Sequence, residues 1–199
     1  MKKNESIVSY VDKVERIYRI FLSLRIKKRT WYRIAKEADV VYSWTDKVLK
    51  ELESEQIIKG SKLKKPKALF EKWRDRTDQR GFREYHVQNP EKILMETQME
   101  YALTGYFAEN LIGHYLFPRY YEFYIRPKDA LKWHYLLSKN GYVGKGNVRV
   151  ILADEQVFFE RSKIDNWPVV SIQQLIVDLM REGAECSEAA DNLISKVYL

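Results

Sequence analysis

Apolar positions in the first third of the chain recur at three- and four-residue steps, the spacing of a single helix face. Val11, Val14, Ile17, Tyr18, Phe21, Leu22 and Leu24 form such a stripe and predict a helix from about Ser6 to Arg25. A second, shorter helix is expected from Trp31 to about Ala38, opened by Thr30, with Ile34, Ala35 and Ala38 on one side. Asp39-Val40-Val41-Tyr42 has room only for a turn, with Val40 as its apolar plug. Ser43 with Asp46 three residues on is a start signal related to the capping box. It predicts a third helix whose inner face, Val48, Leu49 and Leu52, runs to about Glu55. Gln56 to Leu63, broken by Gly60-Ser61, suits a small β-hairpin, and Pro66 starts a fourth helix through Leu69, Phe70 and Trp73 to about Asp78.

Two short helices joined by a tight turn, behind a longer helix and ahead of a hairpin, predict a winged helix-turn-helix domain over residues 1–80. A charged run ending in Gly81 and the pair Asn89-Pro90 punctuate the chain, so the boundary is expected between about 78 and 90. Beyond it the pattern mixes periods. Glu91 to Leu116 reads as one apolar helix containing Gly105, Tyr121 to Ile125 as a strand, and Pro127 to about Ser138 as a helix. Gly141 to Gly146 reads as a turn, and Asn147 to Ala153 and Gln156 to Glu160 as strands. Trp167 to Ser171 leads into a helix from Ile172 to Met180, followed by another from Ser187 to about Val197. The fold class is therefore α+β: the winged helix-turn-helix domain, then a mixed α/β domain with a small sheet over residues 90–199.

Charge changes the picture when it is divided. The net +7 over 199 residues hides an asymmetry: residues 1–80 hold 22 Lys or Arg against 12 Asp or Glu, a net +10. The rest hold 13 against 16, a net −3. A basic domain beside a slightly acidic one points to a local polyanion-binding surface, with nucleic acid as its default partner. No apolar run approaches the ~18 residues of a membrane span, and the start lacks the apolar core of a signal peptide. A cytoplasmic protein without membrane contact is expected. One cysteine, Cys186, excludes an internal disulfide and a cysteine-cage zinc site. His86, His114 and His134 lack helical metal-site spacing, so no metal or cofactor is expected.

In a helix-turn-helix domain the third helix presents its first turns to the major groove while other groups hold phosphates. With Val48, Leu49 and Leu52 inward, Ser43, Asp46, Lys47 and Lys50 point outward, with Trp44 at the flank and Tyr42 just before. Lys47 and Lys50 are the foremost candidates for base or phosphate contact, Tyr42 and Ser43 stand beside them, and Thr30, Arg33, Lys59, Lys62 and Lys64 suit phosphates. Asp46 suits a capping role better than a cytosine contact, and Trp31 and Trp44 carry a core-packing reading as well. Catalytic constellations are weak. Gly141-x-x-Gly144-x-Gly146 precedes a strand rather than a helix, so it is no phosphate loop. Ser171 reads as a helix cap, not a nucleophile. Glu109, Glu122 and Asp154 match no metal-site spacing, and exposed carboxylates account for them better.

The strings YALTGYFAENLIGHYL (101–116), YEFYI (121–125), NVRVILADEQVFF (147–159) and WPVVSIQQLIVDLM (167–180) resemble the AbiEi antitoxin family, regulators of type IV toxin–antitoxin and phage-defence loci. The segment PKALFEKW (66–73) joins the halves in a similar order. The resemblance implies a promoter-binding repressor that reads inverted repeats as two copies on double-stranded DNA, assisted by its C-terminal domain. It also implies no stable complex with the cognate toxin, a nucleotidyltransferase-like enzyme. The first domain is more lysine-rich than that family's pattern. The expected function is a sequence-specific transcriptional regulator without catalytic activity. The alternatives are a metal-dependent nuclease targeted by the winged helix, and a protein–protein adaptor.

Overall fold

A computed structural model describes residues 13–26, 29–76 and 81–199 of the chain. The expected start of the first helix near Ser6, with Val11, lies outside the described residues, as do Lys27, Lys28 and the segment 77–80. The chain divides into two compact units, Met1–Gln79 together with Ile194–Leu199, and Arg80–Leu193.

In the first unit, residues 13–22 form α1, which buries Val14, Ile17, Tyr18, Phe21 and Leu22. It ends earlier than the stripe predicted: Leu24 is exposed. Arg19 is buried on the same helix, its guanidinium lying 5.3 Å from the centre of the Trp73 ring. Thr30 caps α2 (Trp31–Glu37), its Oγ1 accepting from the Arg33 amide at 3.2 Å. Asp39, at a φ of 53°, turns the chain, and buried Val40 plugs the corner. α3 (Tyr42–Ser54) follows and packs Val48, Leu49 and Leu52 inward. Its cap is Val41 rather than Ser43, and no side chain closes it. Thr45, buried in the first turn, instead donates its hydroxyl to the Val41 carbonyl at 3.3 Å.

Strands β1 (Ile58–Lys59) and β2 (Lys62–Leu63) pair antiparallel, placing Ile58 opposite Leu63 and Lys59 opposite Lys62. Gly60 takes the left-handed φ of 58° that this tight turn requires. α4 (Pro66–Arg74) buries Leu69, Phe70 and Trp73. Residues 194–199, the far end of the chain, complete this unit. The Tyr198 hydroxyl donates to the Leu22 carbonyl at 2.8 Å, and its ring meets Phe70 edge-on at 5.4 Å.

The second unit is a mixed α+β fold on a seven-stranded sheet in the order β6-β3-β7-β5-β4-β9-β8, larger than the pattern suggested. Its strands are β3 (Phe82–Val87), β4 (Ala102–Thr104), β5 (Tyr121–Ile125), β6 (Gly141–Val143), β7 (Val148–Leu152), β8 (Ser162–Ile164) and β9 (Trp167–Val169). The pairs β5–β7 and β4–β9 are parallel and the others antiparallel. The helices are α5 (Pro90–Glu96), α6 (Gly105–Ile112), α7 (Ala130–Lys139), α8 (Ile172–Glu182) and the start of α9 (Glu185–Tyr198), whose residues from Ile194 on belong to the first unit. One sheet face carries Thr104 and Tyr124, both hydrogen-bonded to Asp178 of α8 at 2.6 and 2.9 Å. The opposite face carries Phe123, packed on Trp133 of α7, and Tyr85, whose hydroxyl meets His134 Nδ1 at 3.0 Å.

The observed elements depart from the expected ones in several places. The single helix from Glu91 to Leu116 is really α5, then β4, then α6. Residues 101–109 are buried at every position, so no helical period survives in that stretch. Gly105 breaks it with a φ of 61°. Phe82–Val87, read as boundary, is a strand, and Gly141–Val143, read as turn, is the edge strand β6. Gln156 to Glu160 is not a strand: a 3-10 turn spans Glu155–Phe158, and the Asp154 side chain caps it by accepting from the Gln156 amide at 3.0 Å. Among the described residues no helix is long and apolar enough to cross a membrane.

Candidate nucleic-acid interface

The outward face of α3 carries Tyr42, Ser43, Lys47 and Lys50, all exposed, because the buried residues Thr45, Val48, Leu49 and Leu52 fix the opposite face. Lys50 is held by Asp46, one turn earlier, at 2.8 Å. Asp46 is therefore an ion-pair partner and not the capping residue expected. Lys47 lies with its ammonium 5.3 Å from the Trp44 ring centre. Both interactions face solvent, so either lysine can exchange its partner for a phosphate at little cost.

Trp31 and Trp44 are half-buried rather than core residues. Trp31 has a definite role: its indole N–H donates to the Gly60 carbonyl at 3.3 Å, tying the start of α2 to the hairpin tip. The Gly60 amide in turn donates to Glu53 of α3 at 2.7 Å. The hairpin is thus clasped from both helices, and it presents exposed Lys59, Lys62 and Lys64. Like charges directly opposite in an antiparallel pair repel, and Lys59 faces Lys62 across this one. Arg33, also exposed, stands 3.6 Å from Glu37 on the flank of α2.

The candidates fall into groups. Tyr42, Ser43, Lys47 and Lys50 share the outer face of α3, with Trp44 beside Lys47. Thr30, Lys62 and Lys64 line one cleft together with Arg29 and Ser61, while Arg33 and Lys59 are not among the residues lining it. Arg29 was not among the contacts expected from the sequence. Val197 and Tyr198 also line the cleft, and no sequence signal ties positions so distant to the hairpin.

The carboxylates weighed for metal chemistry have other work and are not all exposed. Glu109 is buried and accepts from the Tyr115 and Leu116 amides at 3.2 and 2.7 Å, closing the loop after α6. Asp154 caps its 3-10 turn. Glu122 is buried in a row across the sheet, Glu84–Arg149–Glu122–Thr104, with its Oε1 2.6 Å from Arg149. Arg149 also meets Glu84 at 3.4 Å and Glu182 at 3.2 Å, with its guanidinium centred 5.0 Å from the Phe82 ring and 5.2 Å from that of Tyr120. Burial pushes the Glu122 carboxyl up to about 7, outweighing the pull of Arg149. Among the described residues no group of three or more His, Cys, Asp or Glu side chains is arranged to hold a metal ion. Burial also raises the Cys186 thiol to about 11, the reverse of nucleophile activation. Ser171 stands at the cap of α8 as expected, yet its buried hydroxyl makes no capping bond.

The chain matches no protein-family model. No curated protein and no solved structure matches it either.

Proposed function

We propose that the first unit is a winged helix-turn-helix module that binds double-stranded DNA, and that the protein is a sequence-specific transcriptional regulator rather than an enzyme. The reading has α3 enter the major groove with Tyr42, Ser43, Lys47 and Lys50, while the hairpin lysines and Thr30 hold backbone phosphates. One observation carries it: the lysine-bearing hairpin is fastened to α2 and α3 through the two bonds of Gly60, so groove-reading and phosphate-holding groups form a single preorganised surface. The net +10 of residues 1–80 supports the same reading.

The resemblance to AbiEi antitoxins extends the proposal to a repressor of a toxin–antitoxin or defence locus. Two copies would occupy an inverted repeat in the cytoplasm, without a stable toxin complex. The nuclease alternative loses support because Glu109, Glu122 and Asp154 are committed to separate structural bonds.

Fluorescence anisotropy with the chain's own upstream DNA tests the reading. Salt-dependent binding is expected, and Lys47→Ala/Lys50→Ala should weaken it at least tenfold, about 1.4 kcal/mol. Unchanged affinity in that variant would remove α3 from the interface and favour the adaptor alternative.

A further inference from the structure

The cleft beside the hairpin is an open concavity of about 680 Å³ within the first unit. Arg29 and Thr30 enter from the segment before α2, Lys62 and Lys64 from the hairpin, and Val197 and Tyr198 from the last turn of α9. None of the described residues lining it is acidic. Clefts elsewhere, beside Glu96 and Glu100, do carry a carboxylate. Three cations, Arg29, Lys62 and Lys64, line this one concavity, and like charges on a shared surface favour an anion seated there. Arg29 adds geometry to charge: one guanidinium nitrogen donates to the Ser23 carbonyl at 2.8 Å, while its buried Nε–H finds no acceptor among the described residues. Tyr198 fixes the opposite wall through its bond to Leu22 and its packing on Phe70.

We propose that this cleft is a seat for the DNA sugar–phosphate backbone, and that the turn at Val197 and Tyr198 forms one of its walls. The proposal rests on the DNA-binding reading above and adds to it a part of the chain more than a hundred residues away from the helix-turn-helix segment. Arg29, Lys62 and Lys64 supply the charge, Thr30 and Ser61 the hydroxyls, and Tyr198 acts as a positioning residue.

The test uses the full chain and a labelled random-sequence duplex of about two helical turns, with affinity measured across a salt series. Lys62→Ala/Lys64→Ala should lower the slope of log affinity against log salt by nearly two, about 0.9 for each phosphate no longer neutralised. Val197→Glu should weaken binding and Val197→Lys strengthen it, since the two changes disturb packing alike and differ in charge. If both weaken it equally, or neither changes it, the wall is no part of the seat and the proposal is overturned. A readout on the unaltered chain covers the case in which a variant does not fold. Adding duplex should shift the Val197 methyl resonances along with those of Leu63, and still Val197 signals beside shifting α3 signals would again overturn the proposal. A chain that binds no duplex at all defeats the DNA-binding reading itself, whereas binding abolished only through Lys47→Ala/Lys50→Ala leaves that reading standing without the cleft.

Discussion

Glu122 shows how one buried side chain sets the response of the second unit to pH. Its neighbours are Arg149, Glu182, Asp178 and the Tyr106 amide, and burial is the strongest influence on it. With a folded value of about 7 against 4.5 for an ordinary carboxyl, the folded state holds the proton more tightly than the unfolded one. The stability contributed by that proton is present below the ordinary carboxylate range and is lost as pH rises through about 7. Denaturant midpoints should therefore fall across that interval, and Glu122→Gln should flatten the decline. An unchanged slope in the variant would assign the effect elsewhere. Gly105 guards the same carboxylate: a Cβ at that position would lie 1.7 Å from Glu122 Oε2, on a backbone already at a φ of 61°. Gly105→Ala should cost about 3 kcal/mol, combining left-handed strain with overpacking, read as a loss of second-unit stability in chemical denaturation.

At the scale of elements, the hairpin is the part most dependent on its neighbours. Two-residue strands cannot stand alone, and this pair sets Lys59 against Lys62. Trp31→Phe keeps an aromatic ring, smaller than the indole, and removes the donor to Gly60, which should cost about 1 kcal/mol from the lost bond. Hydrogen exchange should then quicken at residues 58–63 while the amides of α3 stay protected. The helices of the first unit were legible because each has a solvated face that leaves a 3.6-residue period. Thr30 could be read as a cap because an oxygen three residues before an amide is a local relation. Ser43 could not be rejected on those terms, since Tyr42 and Val41 extend the helix backwards without any polar signal. In the second unit the period failed where burial is two-sided: Tyr101 to Glu109 has no solvent face, so β4 and α6 merged into one apparent helix. β3 was missed for a different reason, because Phe82, Arg83, Glu84 and His86 are polar or exposed enough to resemble linker. Of the candidate interface, the lysines were legible from charge and helical phase, but the cleft wall at Val197 and Tyr198 was not.

For the whole molecule, the division into two units does not follow a single cut in the sequence. Residues 194–199 return to the first unit, where the Tyr198 hydroxyl satisfies the Leu22 carbonyl. Residues 1–79 expressed alone should melt at a lower temperature than the same unit in the full chain, and Tyr198→Ala should reproduce most of that loss. Equal melting temperatures would show that the return is dispensable. The return also governs when the unit can finish folding. On the ribosome a domain made of consecutive residues closes as soon as it emerges, but this one must wait for the entire second unit to be translated, on the order of ten seconds. Until then the hairpin and α3 are already made while Phe70 and Leu22 still lack their last partner, so a nascent or prematurely terminated chain holds the first unit incomplete. On the DNA-binding reading proposed above, competence to engage a duplex is thereby reserved for chains that have been synthesised through Tyr198.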